Sequence, residues 1–278
     1  MFTCGDVLVL FLLNTAMSLS STPSISDKTF IEECVQQHNQ NRSTVRPTAS
    51  NMWYMTWDEG LAITARAWSR GCLFEHNTHL REEGRVHPVF RSVGENLWAG
   101  THFTVKAAIK GWVDEVVDYN FYTGACADVC GHYTQVVWAD SYKVGCAAHF
   151  CPNGVKSTRF YPRPAIIFVC NYANGGNYIG KKPYKVGSPC SDCSGEMCEN
   201  NLCRSSTRDE EKRYNWTPDW DTDNVLETLP ERPQGPEEPD SGLFCKAFLT
   251  SRLISLLIIF GSVYGIQTQY PNIFAYTN

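Results

Sequence analysis

Cysteine is the residue that most constrains the fold of this chain. Thirteen of the 278 residues are cysteine, and 11 of these lie between Cys34 and Cys203. Chains that use cysteine this densely either bind metal ions or fold in an oxidising compartment, where disulfides persist. We therefore expect a secreted or cell-surface protein whose domain is stabilised by disulfides.

The N-terminus favours the same compartment. An apolar run over residues 7–13 is followed by small residues that suit cleavage. This pattern predicts a signal peptide over residues 1–20 and entry into the secretory pathway. Two Asn-X-Ser/Thr triplets, at Asn41 and Asn215, predict N-glycosylation there.

Charge and composition divide the rest of the chain. The net charge of −5 gives no basic surface, so we expect no nucleic-acid partner. Residues 205–243 are acidic and rich in proline without a hydrophobic period, which predicts a flexible linker. The predicted segments are a globular domain (27–180), a Cys-rich segment (181–204), this linker, a transmembrane segment (244–266) and a short tail (267–278).

The apolar C-terminal segment leaves three alternatives open. Extended back to Phe244 it reaches the length of a membrane span, although Lys246 and Arg252 interrupt it. Small residues at Ser241-Gly242 before a hydrophobic tail also fit a lipid-anchor signal. Soluble secretion is the third alternative. We expect a single-pass anchor at the plasma membrane, with the domain outside the cell.

Hydrophobic periodicity predicts three helices and three strands in the globular region. The helices cover residues 29–41, 56–71 and 104–118, and the capping box Thr56-Trp57-Asp58-Glu59 starts the second. The strands are Thr134–Trp138, Tyr142–His149 and Ala165–Tyr172. Because the last contains four successive apolar residues, we expect it to be covered on both faces. The predicted fold is a three-layer α/β/α sandwich.

The cysteines of the globular region cannot all pair with one another. They number seven, so at least one is free, and Cys34 is the candidate because it lies on a helical apolar stripe. The pairing of the other six stays open. The later group begins with a C-X-X-C that would suit a metal or redox site, but in a secreted chain two disulfides are favoured. That group is Cys190, Cys193, Cys198 and Cys203.

Four side chains that bear chemistry stand in apolar, aromatic surroundings: His76, Glu95, Glu115 and His132. Glu115 lies on the apolar face of the third predicted helix, where a carboxylate is costly unless it is paired. Imidazole nitrogen and carboxylate oxygen suit zinc, but this spacing matches no local zinc motif. The alternative is that each is a hydrogen-bonded structural residue.

Longer motifs add a family resemblance. Residues 131–138, Gly-His-Tyr-Thr-Gln-Val-Val-Trp, resemble the first signature of the CAP superfamily (cysteine-rich secretory proteins, antigen 5 and pathogenesis-related proteins). Residues 167–177 resemble the second signature, and the motifs around His38, His76, Glu95 and Glu115 follow the family's order. The leader, the Cys-rich tail and the terminal apolar segment resemble the glioma pathogenesis-related group.

The resemblance implies an α/β/α sandwich with a central cleft. The cleft residues would be His76, Glu95, Glu115 and His132, with His76 and His132 able to hold zinc or another divalent cation. The Cys-rich segment would correspond to the hinge of cysteine-rich secretory proteins, with Cys190, Cys193, Cys198 and Cys203 in disulfides.

Three functions are compatible with these residues. The first is an extracellular binding or signalling module with an unidentified protein, peptide or lipid partner. The second is a zinc-dependent hydrolase, in which zinc would activate water and a glutamate would act as base. The third is lipid or sterol binding, as in some members of the family. Because the sequence shows no activated nucleophile and two histidines are few for catalytic zinc, we favour the first and expect no catalysis.

Overall fold

The computed structural model describes residues 22–222. Its helices are α1 (Lys28–Ser43), α2 (Glu59–Ser69), α3 (Val105–Asp114) and α4 (Gly131–Val136). The main sheet contains β1 (Thr56–Trp57), β2 (Val93–Gly100), β5 (Lys143–Cys151) and β6 (Ala165–Ala173). Two short hairpins are β3 (Tyr119–Asn120) with β4 (Ala125–Cys126), and β7 (Met197–Glu199) with β8 (Leu202–Arg204). Single 3-10 turns cover Thr78–Arg81 and Glu115–Asp118.

The predicted signal peptide, transmembrane segment and C-terminal tail lie outside the described residues. Between residues 22 and 222, the structure contains no helix with the length and apolarity needed to cross a membrane.

The main sheet is mixed and has the strand order β1-β5-β6-β2. Strand β1 is parallel to β5, whereas β5 with β6 and β6 with β2 are antiparallel. The long central strand β6 pairs along its whole length with β5, and residues 166–173 also pair with β2. This pairing fixes Glu95 of β2 opposite Asn171 of β6.

Helices cover both faces of this sheet, which confirms the predicted three-layer α/β/α fold. Phe168 and Tyr172 of β6 pack in one core with Phe30 of α1 and Trp112 of α3. The alternate residue Ile167 packs on the opposite face, in the core that includes residues of α2. Full burial of one such side chain stabilises a domain by roughly 1.5–3 kcal/mol. The run of apolar residues in β6 therefore reflects a strand covered on both faces, as predicted.

One predicted strand is wrong. Residues 134–138 were expected to be extended, but Gly131–Val136 is a short helix. The β-branched pair Val136-Val137 favours a strand locally. The carboxylate of Glu115 overrides this preference, because it accepts hydrogen bonds from the backbone N–H groups of His132 and Tyr133 in the first turn.

The predicted capping box is also displaced by two residues. Thr56 and Trp57 pair with β5 and are extended, so the N-cap of α2 is Asp58. The Asp58 carboxylate accepts from the N–H of Leu61 at 3.0 Å. Tertiary pairing with β5 thus decides where the helix begins. The strand β2 has no counterpart among the predicted elements, because its glycines and polar residues conceal a β pattern.

Five disulfides are present in the described part of the chain. They join Cys72 to Cys151, Cys126 to Cys130, Cys146 to Cys170, Cys190 to Cys198, and Cys193 to Cys203. Cys34 is buried and free. Burial raises the pKa of its thiol well above the ordinary value, which keeps it unreactive at neutral pH.

The chain after the Cys-rich hairpin differs from the prediction of a flexible linker beginning at residue 205. Residues 210–222 lie against the domain and make specific contacts with it, including a hydrogen bond from the Tyr214 hydroxyl to Asp58 at 3.0 Å. Two tryptophans and a tyrosine in this acidic stretch supply apolar contact area that the overall composition conceals. The remainder of the predicted linker, residues 223–243, lies outside the described residues.

Candidate functional site

Glu95 is the buried carboxylate of the first His/Glu pair. Its side chain has no exposed surface, and Oε1 accepts hydrogen bonds from His76 Nδ1 and from the backbone N–H of Asn77, both at 2.9 Å. Asn171, opposite on β6, reaches Oε2 at 3.3 Å when its amide nitrogen faces the carboxylate. Burial raises the pKa of Glu95, and the hydrogen bond from His76 opposes that rise.

His76 is the solvent-exposed member of this pair. Its imidazole is 61% exposed and follows α2 in the loop that carries Glu75 and Asn77. The hydrogen bond to Glu95 raises the pKa of His76, because it stabilises the charged ring. In the neutral ring this bond places the proton on Nδ1, so the lone pair of Nε2 is available to a ligand.

His132 and Glu115 form the second pair. Glu115 lies where α3 passes into its 3-10 turn, and its carboxylate accepts from His132 Nδ1 at 2.5 Å. The same carboxylate accepts from the backbone N–H groups of His132 and Tyr133, at 3.0 and 3.1 Å. The Trp112 ring stacks on the imidazole, with centroids 6.2 Å apart and planes 15° apart. The His132 ring is therefore fixed by one hydrogen bond and one stacking contact, and its Nε2 makes no hydrogen bond with the described residues.

The sequence motifs also contain supporting residues that were not predicted as site residues. The Asn96 amide donates to the carbonyl of His132 at 3.0 Å and to the hydroxyl of Tyr172 at 3.2 Å. That hydroxyl also bonds to Nε2 of His38, which is fully buried. Burial lowers the pKa of His38 to about 4, so this ring is neutral at physiological pH. The sequence signal for this network was the polar residue Asn96, which stands next to Glu95 in the same motif.

The two His/Glu pairs do not merge into one cluster of ligands. In residues 22–222 no three His, Cys, Asp or Glu side chains come together in a way that would hold a metal ion. Each pair instead offers one nitrogen, with its carboxylate occupied in orienting the ring.

The two predicted glycosylation positions differ in exposure. Asn215 is exposed, whereas Asn41 is half-buried in α1 and its amide nitrogen donates to the carbonyl of Gln37 at 2.7 Å. Glycosylation at either residue stays a prediction.

Comparison with known proteins identifies the family. Residues 35–172 match the model of the cysteine-rich secretory protein family, CAP. GLIPR1-like protein 1 of Bos taurus is 50% identical over 209 residues, which cover 74% of this chain and 84% of that protein. The chain belongs to the CAP family. Glioma pathogenesis-related protein 1 of Mus musculus is 47% identical over 212 residues, covering 74% of this chain and 78% of that protein.

A solved CAP structure shares the fold. The crystal structure of NaASP2 with Zn2+ matches with a TM-score of 0.50 and 25% identity, covering 64% of this chain and 96% of that one. The CAP resemblance deduced from the motifs is thus confirmed, together with the likeness to the glioma pathogenesis-related group.

Proposed function

We propose that this CAP protein acts outside the cell as a binding module, in which His76 and His132 hold a divalent cation such as zinc. One observation carries the proposal. Each imidazole donates from Nδ1 to a glutamate carboxylate and leaves Nε2 without a hydrogen bond among the described residues. A carboxylate behind the ring is the usual support of a metal-binding histidine, because it fixes the tautomer and the ring orientation.

The donor set suits a cation that keeps water ligands. Two imidazole nitrogens fit zinc, and the buried amide nitrogen of Asn77, next to His76, has no hydrogen-bond partner among residues 22–222. A buried donor of this kind is satisfied by an ordered water or by a carbonyl of the bound partner. The solved relative that contains zinc supports the choice of metal.

The same geometry favours binding over hydrolysis. Bound zinc would supply a Lewis acid, but catalytic zinc sites usually have three protein ligands. Within the described residues neither imidazole hydrogen-bonds to a Ser, Thr or Cys side chain, so neither is paired with a nucleophile as a general base would be. The zinc-dependent hydrolase is therefore the second candidate.

The extracellular location is supported by the cysteine chemistry. Five disulfides in the described chain require an oxidising compartment, and the matched family is described as secretory. The membrane tether and the identity of the protein, peptide or lipid partner stay predictions.

Zinc titration by calorimetry tests the proposal on the chain as secreted. We expect binding with a Kd of roughly 1 μM or tighter for the wild type. If one ion uses both rings, His76→Ala and His132→Ala each abolish it. The control is His102→Ala, which removes an exposed imidazole bonded only to a neighbouring threonine, and it should bind zinc as the wild type does.

Equal zinc affinity in the wild type and in the His76→Ala/His132→Ala double variant would contradict the proposal. The four residues would then form a polar network that stabilises the fold. Zinc-dependent cleavage of a peptide library that is lost in His132→Ala would favour the hydrolase instead.

A further inference from the structure

Residues 210–222, which we call the strap, make contacts with the domain that a passive linker would not need. The backbone carbonyl of Glu210 accepts from the buried Lys143 side chain at 2.5 Å. The N–H of Tyr214 donates to Glu59, and its hydroxyl donates to Asp58, both at 3.0 Å. Since the Asp58 side chain is fully buried, loss of the Tyr214 hydroxyl would leave one of its oxygens short of a donor.

The end of the strap is fixed by an ion pair with little exposure. Asp221 contacts Arg70, just after α2, at 3.1 Å, and the two side chains are 2% and 12% exposed. Two charged side chains with this little exposure are costly to separate once they are paired. The position of the strap is therefore specified by the domain surface.

Trp220 links the strap to the loop between α2 and β2. Its indole N–H donates to the carbonyl of Arg85 at 2.8 Å, and its ring stacks on His79 with centroids 5.0 Å apart. The same ring makes an edge contact with Trp68, whose own N–H donates to the carbonyl of Glu75 at 2.8 Å. Trp220 therefore contacts residues on both sides of the short segment that contains His76.

From these contacts we infer that the strap, through Trp220 and Asp221, positions the loop that bears His76 and so sets the orientation of this imidazole. His76 needs outside support, since its ring is 61% exposed and its side chain has one hydrogen bond among the described residues, to Glu95. The pair of Glu115 and His132 is instead supported by hydrogen bonds from the first turn of α4 to the Glu115 carboxylate. Within residues 22–222 no hydrogen bond, ion pair or ring contact joins the strap to His132 or Glu115. The relevance of this positioning to cation binding rests on the proposed function, whereas the positioning itself does not.

Hydrogen–deuterium exchange of the full secreted chain tests the positioning. In Trp220→Ala we expect the amides of residues 74–81 to exchange about tenfold faster, because local opening becomes easier when the indole is removed. Asp221→Asn keeps the shape of the strap and should give the same change to a smaller extent. The matched control is Trp216→Ala, which removes an equal ring from the same strap and preserves the Asn215 triplet. Among the described residues the Trp216 ring contacts one other ring, that of His87.

The imidazole of His76 supplies a readout that general destabilisation would not change. The three-bond NMR couplings that report the χ1 angle of His76 should move towards rotamer-averaged values in Trp220→Ala, since the hydrogen bond that holds the ring at Glu95 becomes less populated. The Trp216→Ala control should keep the wild-type values. If the zinc titration fails but this pattern appears, the proposed function falls and the positioning stands.

Three outcomes would overturn the inference. They are unchanged exchange over residues 74–81 in both Trp220→Ala and Asp221→Asn, equally faster exchange over residues 131–136, or His76 χ1 couplings identical to those of the wild type. Should Trp220→Ala fail to fold, Trp220→Phe keeps a ring against His79 but cannot donate to Arg85, and the same criteria apply to it.

Discussion

At the scale of single residues, the protonation states of two histidines follow from opposite environments. His38 is fully buried, and its ring lies between the carbonyl of Cys34 and the hydroxyl of Tyr172, at 2.7 and 2.9 Å. His76 is exposed and paired with a carboxylate. Burial disfavours the charged ring in the first case, and the carboxylate favours it in the second.

We predict that His38 makes the fold sensitive to acid. Its pKa is lowered from 6.5 to about 4 by burial, so the folded state binds a proton less readily than the unfolded state. The stability that this ring contributes is present above pH 6.5 and is lost as the pH falls towards 4, in total about 3 kcal/mol. Urea unfolding at pH 7 and 4.5 should show a smaller acid loss in His38→Gln than in the wild type.

The exposed His102 supplies the control for this measurement. Because His102→Gln removes an imidazole from solvent, its loss of stability between the two pH values should equal that of the wild type. An acid loss in His38→Gln as large as in the wild type would show that other groups control the pH dependence.

At the scale of elements, a tertiary contact decides the secondary structure of residues 131–138. The local pattern favours a strand, but the side chain of Glu115 satisfies the first N–H groups of α4. A six-residue helix is marginal without such support, since nucleation is unfavourable and few internal hydrogen bonds form. The same carboxylate orients His132, so the helix and the candidate site depend on one residue.

We predict that Glu115→Gln destabilises the domain by about 1–3 kcal/mol, because it replaces a charged acceptor of two backbone N–H groups and one imidazole. Urea unfolding at pH 7 measures this change. The adjacent Asp114→Asn is the control, since Asp114 is exposed and its one ion pair within residues 22–222 is with exposed Lys110, and it should change stability by about 0.5 kcal/mol or less. Similar values for the two variants would contradict the capping role of Glu115.

At the scale of the whole described molecule, the Cys-rich hairpin shares the core of the α/β/α domain. Leu202 is 1% exposed and belongs to the same cluster as Phe30 and Trp112. The backbone of Cys203 exchanges hydrogen bonds with Met52 and Tyr54, at 2.8 and 2.9 Å. The hairpin is thus part of the domain rather than a separate module, although its two disulfides join it only to the preceding residues Cys190 and Cys193 of the Cys-rich segment.

We therefore predict a single cooperative unfolding transition for the hairpin and the domain. Leu202→Ala should lower the free energy of unfolding by about 2–5 kcal/mol and shift this one transition, because it creates a cavity in the shared core. Calorimetry of the full chain measures it. Met197→Ala, which shortens a 71% exposed side chain of the same hairpin, should have little effect. Two separate transitions would contradict the shared core.

The sequence by itself determined the features that depend on local chemistry and on long motifs. Cysteine usage predicted a disulfide-stabilised domain, helical periodicity predicted α1 and α3, and the apolar run Ile166 to Val169 predicted a strand covered on both faces. The free thiol of Cys34 also followed from the sequence, because an odd count leaves one cysteine unpaired.

Only the tertiary structure decided the features that depend on partners distant in the chain. Pairing with β5 moved the start of α2 to Asp58, and the Glu115 carboxylate made residues 131–136 helical. The assignment of Glu95 to His76 and of Glu115 to His132 likewise required the fold. The docking of the strap could not be predicted from the sequence for the same reason. Its acidic, proline-containing sequence has no hydrophobic period, and its aromatic side chains contact residues that are distant in the chain.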